Sequence, residues 1–573
     1  MLTEITVKTE KENRQFSSAP AVLEHLHLTP SLLLNSQGGA ERQNDISIRG
    51  GSFSESGFAV NGLTLKNPQT EHFNAELPLP MALFRAPQTL TGLEQARRSP
   101  GNIVGSIDFA FKPMRDGGHL QLGVGTHERN LQSFMYEKTF TKPDDETVYG
   151  AGVFGRRDES NGRDYDDNNL ELYNFGGHMQ YRTGNSQTDF VFARQKKTFG
   201  TRGYYGVSPD FRAKEELRDT LALASTRIDF ESDATLQINA MWRELDDDYK
   251  LWLPDFLYHN EHKSTIKKAG ITAHHPLGSG FNLDWIMNGD KEEIDSSSLG
   301  EHWREHADIS FLPSHTSGHL RLTTGVRLEV FSDDRPAWLP QTGLEFELSD
   351  KTWLYASYTK TVKQPSFTEL NYESPGSLGN AGLVRQESEN SETGLRSRIS
   401  ENLNLRTTIF YRRSDDTVDW LKINASDRWT AANLGTLETA GIEGELGFSS
   451  DNNRLFLDLY YAYISKSHAV DPHASRYALD YARHLFQLTA VWRATSTLRL
   501  TVNQGFRWQT DNAERDGGDF SVPARIAAQW SPSTIQQLSF NVSIENLWND
   551  QFQMLPGQRA CERATLLSVV YGF

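Results

Sequence analysis

The sequence has a single cysteine, Cys561, so it can form no disulfide within the chain and no cysteine-based zinc cluster. It has no apolar run approaching the roughly 20 residues that a membrane helix requires. Basic residues are in deficit. With 58 Lys and Arg against 75 Asp and Glu, the net charge of −17 argues against nucleic acid as a partner. The 17 histidines are scattered without a paired-ligand spacing, and no catalytic set stands out. The opening MLTEITVKTEKENRQF lacks the basic region followed by an apolar region that marks an export signal. Hydrophobic residues make up 37% of the chain and the mean hydropathy is −0.58, values typical of a soluble protein. Membrane β-barrels escape that inference, because they turn apolar side chains to lipid and polar ones to a wet lumen.

What the sequence does have, beyond about residue 115, is alternation with period two. LQINAMW sets Leu236, Ile238, Ala240 and Trp242 against Gln237, Asn239 and Met241. LRLTVN sets Leu498, Leu500 and Val502 against Arg499, Thr501 and Asn503. LFLDLYYAY does the same, and the chain ends with Leu567, Val569, Tyr571 and Phe573 on one face. Each is a strand with one apolar face. Polar stretches such as RRDESNGRDYDDNN and NGDKEEIDSSSLGEH read as long loops between strands. Abundant aromatics (Trp 12, Tyr 19, Phe 31) fit the interfacial girdles of a barrel. At roughly 21 residues per strand and connection, this region makes about 22 strands, a size that holds a plugged lumen. Alternation alone leaves open a soluble secreted β-rich protein, a carbohydrate-binding or hydrolytic propeller, although no blade signature recurs.

The first 115 residues differ. APAVLEHLHL carries a helical apolar spacing at Val22, Leu23 and Leu26, and short strand-and-turn segments then run to GSIDFAF. Within them NDISIRGGSFSESGFAVNG alternates at Ile46 and Ile48, reading as a half-buried strand that ends in a full charge, Arg49, beside two glycines. Phe58 and Val60 alternate again before Asn61-Gly62, a tight-turn pair in which both residues tolerate positive φ.

These motifs resemble the TonB-dependent outer-membrane receptors. ISIRG resembles the Ile-Arg-Gly signature of that family's plug, and Asn61-Gly62 stands where the family has Asp-Gly. GSIDF resembles the motif closing the plug, YASYTKTVKQPSFTEL a barrel strand and loop, and SETGL and GIEGEL two further strands. IENLWND with the terminal aromatic strand is similar to the usual C-terminus. The resemblance implies an all-β membrane fold: a 22-stranded antiparallel transmembrane β-barrel (116–573) with a small α+β plug domain (1–115) in its lumen. It implies energy-coupled uptake rather than catalysis, with TonB, outer-membrane lipid and lipopolysaccharide as partners and a monomer as the working unit. RRSDDTVDWL and TFGTRGYYGVSP resemble cobalamin-receptor-like members, so a corrinoid is the first expectation for cargo and a ferric siderophore the second.

Residue by residue, the resemblance implies a plug–barrel latch of Arg49 with Glu392 in SETG and Glu443 in GIE. The second arginine common in family plugs is replaced by Thr91, with Arg97 and Arg98 as substitutes. Outward plug loops at 35–43 and 65–74 offer Gln37, Gln43, Asn67, Gln69, Thr70, His72 and Phe73 for substrate binding. Asp158, Asp164, Asp166 and Asp167 offer oxygen ligands suited to calcium. EITVKT (Glu4–Val7 at its centre) reads either as the TonB box or as the plug's first strand. The spacing to VLEHL favours the strand, which places an export signal and box upstream of Met1.

Overall fold

The computed structural model describes Leu26, Thr29 and the chain from Ser31 on, apart from residues 38–41, 75, 142–145, 163–164, 206 and 471 and the side chain of Gln37. The segment from Glu4 to Val7 lies outside the described residues, as do Val22 and Leu23.

From Gly117 the chain runs as successive antiparallel strands. The last, Ala564–Gly572, pairs back on the first, Gly117–Gly125, with Tyr571 opposite Leu120. Phe520–Ser521 and Ala524–Trp530 both pair on Leu498–Gln509 and form one strand, interrupted at Pro523, which has no N–H for the ladder. The result is a closed barrel of 22 strands. Closure, rather than a propeller's separate blades, removes every free edge of the wall. The alternation decides which face meets lipid. Leu567, Val569, Tyr571 and Phe573 are exposed on the outside beside Leu120, Leu122 and Val124. Between them Gln121 and Ser568 point into the lumen and are joined there by a 3.1 Å hydrogen bond.

One of the two stretches expected as long loops is largely wall. NGDKEEIDSSSLGEH lies in Phe281–Ser296 and Gly300–Ser317, which are joined by a tight turn. RRDESNGRDYDDNN begins at the end of Val148–Ser160 and otherwise falls in the connection to Leu170–Thr183, as expected. The reason is strand length. Leu257–Gly278 has 22 residues, whereas about 9–11 cross a bilayer, so the wall extends far beyond the lipid. There both faces are wet, and the inward face carries ion pairs such as Arg304 with Glu292 (2.6 Å) and Lys268 with Asp290 (3.3 Å).

The N-terminal unit fills the lumen. Strands β1 (Leu33–Gln37) and β2 (Gln43–Ser47) form a hairpin. Strands β3 (Ser56–Val60), β4 (Leu63–Leu65), β5 (Gln88–Leu90) and β6 (Gly105–Phe109) form a mixed sheet in the order β4-β3-β6-β5. Helix α1 (Gly92–Arg98) connects β5 to β6. Phe58, Val60, Ile107 and Phe109 pack with Phe84 and Phe111 as its core. At the β3–β4 turn Asn61 and Gly62 both have positive φ (48° and 81°), and a Cβ on Gly62 would overlap the Arg98 carbonyl. Strand β2 is buried on both faces rather than half-buried. Its second face is covered rather than in water, and Asp45 there faces His72 of the plug's own 65–74 loop.

At the end opposite the C-terminus, loops build a cap. Ser377–Leu378, Val418–Lys422, Trp429–Asn433 and Ala474–Ser475 pair into a small sheet. Asp419 is its hub, accepting from Ser475 Oγ (2.5 Å) and from the backbone N–H groups of Trp420 (2.8 Å), Ala478 (3.0 Å) and Tyr477 (3.2 Å). Burial outweighs these bonds and pushes the Asp419 carboxyl up to about 6. A carboxyl raised in the fold stabilises it fully below the unfolded value of about 4, and that contribution is lost as pH rises through about 6. Hydrogen exchange of the cap, corrected for intrinsic rates, is therefore slowest near pH 4 and accelerates through pH 6. Asp419→Asn abolishes this step, and a step that persists in that variant contradicts the assignment.

Candidate functional site

The plug is held by charges that its own fold cannot neutralise. The chain turns after β2, where Ile48 O accepts from Gly51 N–H at 2.9 Å, and Arg49 takes a positive φ of 48°. That turn points the guanidinium at the wall. Its Nη1 donates to Glu392 Oε2 at 2.6 Å and its Nη2 to Glu443 Oε1 at 2.5 Å, while Nε reaches Glu443 at 3.2 Å. The Phe410 ring lies beneath it, 4.8 Å from the guanidinium carbon. Tyr460 Oη donates to Glu443 at 3.2 Å and Ser357 Oγ to Glu392 at 3.3 Å, so both carboxylates are held in place. Burial opposes the arginine's charge, but Glu443 and Glu392 outweigh it and hold the group well above its ordinary value. Helix α1 starts against the same site. Gly92 has φ 53°, and a Cβ there would overlap the Glu392 carboxylate.

Other contacts distribute the anchoring around the wall. Asn61 Nδ2 donates to Ser225 Oγ at 2.6 Å. Arg97 donates to Thr323 Oγ1 at 2.6 Å and lies 3.4 Å from Asp284, whereas Arg98 turns back into the plug at Asp108 (2.9 Å). Of the two candidate substitutes at Thr91, only Arg97 reaches the wall. Lys197 pairs with Glu76, and Arg243 donates to the carbonyls of Phe73 (3.1 Å) and Glu76 (2.9 Å). The PSFTEL motif is explained here. Ser366 and Glu369 form a capping box on helix α2 (Phe367–Asn371), whose first N–H groups donate to the plug carbonyls of Pro68 (3.0 Å) and Gln69 (2.9 Å).

The family model for the TonB-dependent receptor-like β-barrel matches residues 118–547. The chain is a TonB-dependent receptor. Its barrel sits in the outer membrane, and it is a transporter rather than an enzyme. No curated protein sequence matches it significantly. Solved structures share its fold at low identity. The siderophore receptor PirA from Pseudomonas aeruginosa is 16% identical with a TM-score of 0.72, covering 98% of this chain and 97% of its own. The FrpB iron transporter from Neisseria meningitidis (F3-3 variant) is 13% identical with a TM-score of 0.75, covering 100% and 98%. The ferric-catecholate import receptor Fiu from K12 E. coli is 12% identical with a TM-score of 0.74, covering 98% and 95%. At this identity these siderophore and iron receptors share the fold of the chain.

In this receptor the plug's apex is closed. His72 Nδ1 faces Asp45 at 3.0 Å, its ring stacks on Phe53 at 3.9 Å, and Tyr477 from the cap approaches Nε2 at 3.3 Å. Gln43 Oε1 accepts from Tyr205 Oη at 2.6 Å, and Gln69 Nε2 donates to Asp247 at 2.6 Å. The Asn67 side-chain Oδ1 caps the turn by accepting from the N–H groups of Gln69 (3.0 Å) and Thr70 (3.1 Å). Thr70 Oγ1 accepts from His72 N–H, and Phe73 is buried among Leu170, Phe199 and Leu245. Gln43, Gln69 and His72 therefore gather under Tyr205 and Tyr477, whereas Asn67 and Phe73 support the loop. Gln37 ends β1, with its side chain outside the description. Sequence reasoning did not single out Phe53, Tyr205 and Tyr477; the first two lie inside stretches quoted above for other reasons, and the three meet only in the folded chain.

The four candidate calcium ligands do not converge among the described residues. Asp158 is fully buried and neutralised by Arg129 (2.9 Å) and Arg156. Asp167 faces Arg202 at 3.3 Å, Asp166 is exposed, and Asp164 lies outside the description. Arginines on the adjacent wall take the place of an ion there. Among the described residues the group of three close ligand side chains is Asp248, His259 and Glu261, at the exposed outer rim.

Replacing Arg49 by Ala leaves Glu392 and Glu443 buried without their counter-charge, a cost of about 3–5 kcal/mol. The barrel, paired independently of the plug, still assembles. Arg49→Ala cells are accordingly more permeable to large antibiotics, by at least several-fold in uptake, with unchanged heat-modifiable migration. Wild-type permeability in that variant contradicts the latch.

Proposed function

We propose that this receptor imports a ferric chelate of anionic, aromatic character, driven through TonB. The observation that carries this reading is the pairing of cations with rings in the cap above the apex. Arg476 lies 5.6 Å from the Trp429 ring and 5.4 Å from Tyr477, and Lys422 lies 5.0 Å from Trp429. Tyr477 then meets the plug at His72 and Phe53. Guanidinium and ammonium groups offset the charge of a catecholate-type iron complex, and the rings stack on its flat ligands. The similar solved structures, receptors or transporters for siderophores, ferric catecholate and iron, support the same class.

The two stretches that resemble cobalamin-receptor-like members lie in the wall, the cap and the apex. RRSDDTVDWL ends one wall strand and begins the cap strand Val418–Lys422, and TFGTRGYYGVSP completes the wall strand Ser186–Gly200 and carries Tyr205. Ligand entering from the cap must displace Tyr477 and Tyr205 from the apex. Binding energy is then spent on loosening plug contacts before TonB acts from the other side.

Purified receptor binds a ferric tris-catecholate, and His72→Ala/Tyr477→Ala weakens that binding at least tenfold, about 1.4 kcal/mol. In its native host the receptor accumulates radioactive iron from that chelate only while the inner membrane is energised. Binding and accumulation of cyanocobalamin, with no response to the ferric chelate, contradicts the proposal.

A further inference from the structure

One cluster on the lumen wall is left with more acceptors than donors. Glu215 and Asp247 lie on the neighbouring strands Arg212–Asp229 and Thr235–Trp252, with Tyr249 directly across from Glu215. These side chains are 2%, 3% and 7% exposed. The two carboxyl groups approach within hydrogen-bonding reach of each other, which requires a proton or a cation between them. The plug supplies the rest of the shell. Gln69 Nε2 donates to Asp247 Oδ2 at 2.6 Å, and the single hydroxyl proton of Tyr205 stands between Glu215 Oε2 (2.7 Å) and Gln43 Oε1 (2.6 Å). Asp247 Oδ1, Gln69 Oε1 and the Tyr249 hydroxyl are buried there without a hydrogen-bond partner. The nearby lysine and arginine are engaged elsewhere, Lys197 by Glu76 and the Arg42 carbonyl and Arg243 by Asp219. His262 stands across from Asp247, with Nδ1 at 2.7 Å from Ser296 Oγ.

We propose that Glu215 and Asp247, with the Gln69 side-chain carbonyl and the Tyr249 hydroxyl, bind a hard divalent cation of the calcium class at the plug–barrel boundary. Every donor is oxygen, which selects a hard ion over a thiophilic or imidazole-preferring one. Two carboxylates match a divalent charge. The mixed shell of carboxylate, amide and phenol suits calcium's flexible geometry better than the octahedron that magnesium demands. Gln69 comes from the plug and the other three ligands from the wall, so the ion stabilises the closed plug by mass action. This site does not depend on which cargo the receptor carries.

Terbium, which occupies calcium sites, reads the site directly because Tyr205 and Tyr249 can sensitise its luminescence. In the purified full chain, tyrosine excitation gives terbium emission that calcium displaces. Glu215→Gln/Asp247→Asn lowers it at least tenfold, and Asp248→Asn/Glu261→Gln, which removes the exposed rim trio, leaves it intact. Emission that survives the first pair, or that is lost with the second, overturns the proposal. Should the first variant fail to form a heat-modifiable barrel, the wild type decides. Calcium then raises its Tm at neutral pH relative to a chelator. A Tm indifferent to calcium that rises as pH falls means a shared proton instead, and overturns the site.

Discussion

A buried guanidinium that its own domain leaves unneutralised governs the architecture of this receptor. Arg49 projects from a turn in the plug and is balanced only by Glu392 and Glu443 of the wall. A charge removed from water is tolerated only when it is paired and hydrogen-bonded. The plug therefore has one stable register inside the barrel, the one that brings the three side chains together. The neighbouring features serve that requirement. Gly92 lets helix α1 start against Glu392, Phe410 screens the guanidinium from water, and Tyr460 and Ser357 orient the carboxylates.

The rest of the plug–wall boundary is mixed. Part of it is apolar: the plug core around Phe58 and Phe109 continues into wall residues such as Phe154, Leu221 and Ile266, and Phe73 inserts among Leu170, Phe199 and Leu245. The rest is polar, with hydrogen bonds and ion pairs such as Asn61 to Ser225, Arg97 to Thr323 and Lys197 to Glu76. The apolar patches seal the lumen, and the polar contacts fix how the plug sits in it.

Much of this was legible in the sequence, because the relevant signals are local or periodic. Alternation located the wall and its lipid face, down to Leu567, Val569, Tyr571 and Phe573, and Asn61-Gly62 marked the β3–β4 turn. The latch was legible through the resemblance of ISIRG, SETG and GIE, although Arg49 and its partners are more than 340 residues apart. What could not be read depends on closure of the sheet. The acidic run NGDKEEIDSSSLGEH, taken for a loop, is strand continuing beyond the lipid, and Asp158, offered as an ion ligand, has two arginines as neighbours. Tyr205, inside TFGTRGYYGVSP, and Tyr477 could not be placed over the apex in advance, since their positions are set by loops folding across a ring of strands. The fold shared with the solved siderophore and iron receptors is held at only 12–16% identity, so it shows in the strand pattern rather than in particular residues.

The central claim is that Arg49, Glu392 and Glu443 act as one unit in holding the plug. A double-mutant cycle tests it most directly, with Arg49→Ala, the pair Glu392→Gln/Glu443→Gln and their combination compared through hydrogen-exchange protection of strand β2. The account predicts that the combination costs less than the sum of its parts, by more than about 1 kcal/mol, since the second change removes a partner already lost. Additivity to within about 0.5 kcal/mol would contradict it.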